Sequence, residues 1–87
     1  MQENFEQLFQ NEKIQVKKIT SPAGFTSEVF TSDMDEWIYV IRGSARLDVG
    51  GEMINLKSGE HFLIPKNTSN QVLQTLEETT WLGTYIK

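Results

Sequence analysis

The chain contains no cysteine. Disulfide staples, thiolate zinc sites and cysteine nucleophiles are therefore excluded. Histidine occurs once, at His61, and proline twice, at Pro22 and Pro65. No stretch approaches the ~20 apolar residues that span a bilayer. The N-terminal Met1-Gln2-Glu3-Asn4-Phe5 lacks the basic segment and apolar run of a secretory signal. These absences lead us to expect a soluble, cytoplasmic protein that does not engage membranes. Basic residues are also sparse, eight against twelve acidic ones for a net charge of −4. Apart from Lys17-Lys18 they are scattered, so the basic patch of a nucleic-acid binder is missing and no nucleic-acid partner is expected.

What the sequence does contain is 87 residues, one domain spanning 1–87. A domain of this size has a modest core, and self-association would help to stabilise it. A second copy of the chain is thus the expected protein partner. Phe5, Leu8 and Phe9 fall at i, i+3 and i+4, which predicts a short N-terminal helix within residues 1–12. From Lys13 onward, over 13–87, the pattern is that of strands. Ile14 and Val16 alternate with polar neighbours before Ser21-Pro22-Ala23-Gly24 breaks the chain. Ser27–Thr31 reads as a further strand. Glu36–Arg42 is the strongest, with Trp37, Tyr39 and Ile41 on one face and Ile38 and Val40 on the other. Both faces are apolar, so one is expected to line an interior and the other to meet a second sheet or subunit. Ala45–Val49 and Ile54–Leu56, joined by Gly50-Gly51, predict a tight hairpin. His61–Ile64, Asn70–Leu76 and Thr79–Ile86 complete the series. The predicted class is all-β, a small antiparallel barrel or sandwich preceded by a short helix.

The order of particular residues narrows this class. Gly24 is followed after five residues by Phe30-Thr31-Ser32, then after three more by Glu36, and after six more by Gly43. Gly59 is followed after five residues by Pro65, and after four more by Asn70. This spacing resembles the two motifs of the cupin family over roughly residues 13–87. The resemblance implies a double-stranded β-helix, or jelly-roll barrel. In metal-binding members two histidines and a glutamate of the first motif and a histidine of the second hold one metal ion. Here those positions fall on Phe30, Ser32, Glu36 and Asn70, and Asn67 stands where the second motif has glycine.

Glu36 alone has the expected ligand type. Phe30 cannot ligate, and Ser32 and Asn70 are weak neutral donors, a poor set for iron, zinc or nickel. No metal or other cofactor is expected. His61 has opposite parity to Phe62 and Ile64 and reads as a partly exposed strand residue rather than a ligand or base. Asp33, Asp35 and Glu36 lack the spacing of a calcium loop and read as an acidic turn. Trp37, Tyr39, Trp81 and Tyr85 read as core or interface residues.

Three functions compete. A metal-free barrel would hold a small organic ligand in a pocket lined by Phe30, Ser32, Glu36, Ile38, Val40, Phe62, Ile64 and Asn70. Alternatively, the chain is a small enzyme that uses Glu36 in metal-assisted chemistry or as acid or base in a minimal site, since burial raises a carboxyl pKa. Alternatively, the barrel is a non-catalytic dimeric, structural or regulatory protein. The sequence leans away from an enzyme.

Overall fold

Gly50 and Gly51 carry φ values of 59° and 89°. Two consecutive positive values suit the tight turn that follows the twist of paired strands. Val49 and Glu52 close that turn, and the pairing runs back to Ser44 and Lys57. This hairpin lies within a computed structural model that describes residues 2–87 as eight strands and no helix.

The strands are β1 (Asn4–Gln10), β2 (Ile14–Ser21), β3 (Asp35–Arg42), β4 (Ser44–Val49), β5 (Glu52–Lys57), β6 (His61–Ile64), β7 (Asn70–Thr75) and β8 (Thr79–Ile86). They form a five-stranded sheet in the order β1-β2-β8-β3-β6 and a three-stranded sheet in the order β5-β4-β7. All pairings are antiparallel. The two sheets face one another without closing into a single hydrogen-bonded barrel.

Two sequence expectations need correction. The N-terminal segment is a strand, not a helix: Asn4–Gln10 pairs with β2, with Phe5 opposite Ile19 and a register shift between Gln7 and Phe9. A segment this short has no stable helix of its own, and the free edge of β2 offers it backbone partners instead. Met1 lies outside the described residues. Ser27–Thr31 is also not a regular strand. Residues 24–30 run beside β7 through sparse bonds, including Ser27 N–H to Val72 O at 2.9 Å and a single bridge between Phe30 and Asn70.

The core lies between the sheets. Ile19, Ile38, Val40 and Trp81 from the large sheet meet Ala45, Leu47, Val49 and Leu56 from the small one. Gly43 turns the chain from one sheet to the other at φ 101°. A Cβ there would stand 2.6 Å from both Glu78 O and Thr79 Oγ1, so only glycine fits. Within the chain, the apolar face of β3 that carries Ile38 and Val40 is covered, while Trp37 and Ile41 remain exposed.

Candidate functional site

The register of the large sheet builds the site. Glu36 on β3 stands between Tyr85 on β8 and Ile64 on β6. One pair further along, Ile38 stands opposite Gly83, which in turn pairs with Lys17 on β2. Direct partners in a sheet share a face, so Glu36, Ile38, Gly83, Lys17 and Tyr85 all face inward. Gly83 contributes no side chain to this row. A Cβ added to it would lie 3.4 Å from Glu36 Oε2 and from Ile19 Cδ1. The missing side chain leaves the hollow into which the Glu36 carboxyl leans.

Glu36 also lines a cavity of about 330 Å³ between the sheets. The large sheet supplies Ile19, Glu36, Ile38, Ile64, Trp81 and Tyr85 to its wall, the small sheet Leu47, Asn70 and Val72, and the crossing loop Ser27, Phe30, Thr31 and Ser32. Six of the eight residues expected from sequence lie here: Phe30, Ser32, Glu36, Ile38, Ile64 and Asn70. The other two do not. Val40 is fully buried in the core, and Phe62 packs against the edge of that core. Each shares the inward parity of the site but sits further along its strand, where the two sheets close on one another.

Sequence reasoning missed Glu3 just ahead of β1, Phe5 on β1 and Lys17 on β2, and it assigned Tyr85 to core or interface. All four line the cavity. The Lys17 ammonium lies 5.3 Å from the centre of the Tyr85 ring and 5.9 Å from that of Phe5, within cation–π range. Glu3 Oε2 accepts a 2.6 Å hydrogen bond from Ser21 Oγ, which accepts one of 3.1 Å from Trp81 Nε1. No local signal marks Glu3 or Phe5, because they reach the cavity only when β1 pairs as a strand.

The electrostatics follow from burial. Desolvation pushes the Glu36 carboxyl above the ordinary carboxylate range. A hydrogen bond from Tyr85 and the charge of Lys17 oppose that rise, and the charge of Glu3 adds to it. The Tyr85 phenol is pushed up, first by burial and then by the neighbouring Glu36 charge. The pair thus combines a carboxyl that holds its proton more strongly than usual with a phenol that stays protonated.

The donor set does not fit a transition metal. Ser32 Oγ accepts the Met34 N–H at 3.1 Å. Asn70 Nδ2 donates to Phe30 O at 3.3 Å and Thr68 O at 3.2 Å. The Phe30 side chain has no donor atom, which leaves the Glu36 carboxyl as the one strong donor of the set. Among the described residues no three His, Cys, Asp or Glu side chains gather as a metal site. His61 points out of the large sheet, where it accepts a 3.3 Å hydrogen bond from Trp37 Nε1. Asn67, at the family's glycine position, has φ 60°. Asparagine tolerates this left-handed conformation, so the turn keeps its shape without glycine.

Comparison with known proteins agrees with this architecture. A family model described as a cupin domain matches residues 18–80. A provisionally assigned mannose-6-phosphate isomerase from Ralstonia eutropha JMP134 superposes with a TM-score of 0.90 at 26% identity, over 99% of this chain and 85% of that one. An RmlC-like cupin from Shewanella frigidimarina NCIMB 400 gives 0.90 at 19% identity, over 97% and 75%. KdgF from Halomonas sp. gives 0.89 at 14% identity, over 97% and 77%. No curated protein matches the chain. Among the described residues no helix is long and apolar enough to cross a membrane.

Proposed function

The chain belongs to the cupin family, and on that premise we propose that it binds one small organic molecule between its sheets without a metal. The observation that carries this reading is the cavity of about 330 Å³ with the Glu36–Tyr85 pair in its wall. Its volume lies at the low end of the ~300–1,000 Å³ typical of ligand pockets. Its walls are apolar and aromatic, with a few convergent polar groups, the usual make-up of a small-molecule site. Glu36, Lys17 and Ser32 would orient the ligand, and Phe30 and Trp81 would pack against it. Lys17 is the one basic side chain among the described lining residues, against Glu3 and Glu36. That balance disfavours a doubly charged anion such as a sugar phosphate, so the name of the Ralstonia relative does not carry over.

Ligand-observed and protein-observed NMR with a fragment set of uncharged single-ring compounds tests this reading. Binding should move the indole N–H of Trp81, in the cavity wall, and leave that of Trp37, on the outer face. Fragments that move neither indole, or one equivalent of tightly held iron, nickel or zinc in the purified protein, would overturn it.

A second reading is favoured by the raised pKa of Glu36. A buried carboxyl that holds its proton more strongly than usual is suited to general acid–base work, and Glu36 would then be the catalytic residue of a minimal proton-transfer site.

A further inference from the structure

The groups that face the cavity are unbalanced in two ways. The first is charge. The charged lining residues are Glu3 just ahead of β1, Lys17 on β2 and Glu36 on β3. The small sheet and the crossing loop add no charged residue to the wall. Two acids against one base leave it one positive charge short. The second is hydrogen bonding. Asn70 donates its Nδ2 to Phe30 O and Thr68 O. What it has left for a ligand is Oδ1, an acceptor. Glu36, when ionised, offers only acceptor oxygens. Ser27 Oγ donates to Glu28 O and accepts the Val72 N–H, and Trp81 Nε1 donates to Ser21 Oγ. Those two donors are committed within the protein.

We propose that the ligand of this cavity is a small primary amine, bound as its ammonium ion with Glu36 as counter-ion. The inference rests on the small-molecule reading above and names the class of molecule. An ammonium group carries one positive charge and only donates, so it answers both imbalances at once. The aromatic wall suits it as well. Ring faces attract cations, and the Lys17 ammonium already lies 5.3 Å from the Tyr85 ring centre and 5.9 Å from that of Phe5. Phe30 and Trp81 bring two more rings to the same cavity. Glu36 fits the part of counter-ion. Burial penalises its charge more than its present neighbours relieve it, and a second cation beside it would offset the remainder. A carboxylate ligand would meet Glu3 and Glu36 as like charges, and an uncharged ligand would leave the deficit in place.

Three matched probes test the proposal: benzylamine, benzyl alcohol and benzoate, which share one ring and differ in charge. NMR titration of the full chain near neutral pH follows the Trp81 indole N–H. Benzylamine should bind at least about tenfold tighter than benzyl alcohol, since a charge-assisted hydrogen bond outweighs a neutral one. Benzoate should bind weakest. This ranking in the wild type needs no variant. Glu36→Gln should bring benzylamine and benzyl alcohol to near parity. Lys17→Met removes the competing cation and should tighten benzylamine by roughly threefold or more. Glu52→Gln removes a like charge from an exposed position on β5, outside the cavity wall, and should leave the preference unchanged. Circular dichroism checks that each variant is folded. Benzyl alcohol binding as tightly as benzylamine, or benzoate binding tightest, would overturn the ammonium assignment and leave the small-molecule reading standing. So would a preference that folded Glu36→Gln retains, or a folded Lys17→Met that weakens benzylamine. A Trp81 indole that none of the three probes moves would overturn both.

Discussion

Tyr85 and Glu36 stand directly opposite one another on the inner face because β8 and β3 pair at these two residues. Both groups hold their protons more strongly than they would in water, since burial disfavours each charged form.

The pair makes stability depend on pH in a definite direction. Glu36 has an ordinary value of 4.5 and a higher one in the folded chain. Between those two values the native state carries the extra proton, so stability falls as pH rises through that window. Tyr85 repeats the effect above its ordinary value of 10.0. Glu36→Gln, which keeps an acceptor for Tyr85 and cannot ionise, should melt higher than the wild type on the alkaline side of the window. The two proteins should converge on its acid side. Thermal denaturation of both from acid to mildly alkaline pH measures this, and parallel curves would contradict it.

Gly83→Ala separates cavity shape from stability. The new methyl would meet Glu36 Oε2 and Ile19 Cδ1 at 3.4 Å, ordinary van der Waals contact. Replacing a strand glycine with alanine recovers roughly 0.5–1 kcal/mol of backbone entropy. We expect unchanged or slightly raised stability together with weaker fragment binding, because the methyl fills the hollow beside Glu36. Urea titration and NMR binding on the same sample read the two effects independently.

Ser21→Ala should cost stability at a single point. Ser21 is fully buried and links Trp81 Nε1 to Glu3. Its removal leaves the indole N–H buried without an acceptor and releases Glu3, at a cost of about 1–3 kcal/mol. Adding Trp81→Phe to Ser21→Ala should cost less than the two single losses combined, since the phenyl ring has no donor to leave unpaired. A double-mutant cycle by urea denaturation checks this.

Much of the architecture is legible from residue order. The β4–β5 hairpin is written in Gly50-Gly51, because a two-residue turn depends on local backbone freedom. Ile38 and Ile64 are legible as inward-facing because strand parity is local. Glu36 shares the parity of Ile38, but its place beside the acidic turn leaves a solvated reading equally open, and the register with Tyr85 decides it. Phe5, Leu8 and Phe9 mislead, because in so short a segment a helical spacing is no stronger than a vacant strand edge. Tyr85 reads as a packing aromatic, and nothing near it in sequence points to Glu36.

The sequence alone settles the all-β class, the hairpin, the cupin-like spacing and the poor metal donor set at Phe30, Ser32 and Asn70, since each depends on residue type and short-range order. Only the tertiary structure decides that Lys17, Tyr85 and Glu3 meet Glu36 around one cavity, and that Val40 and Phe62 do not line it. Those residues come from β2, β3, β8 and the position just ahead of β1, far apart along the chain. Their register is set by which side chains the whole pair of sheets can bury together, a choice no single segment can make.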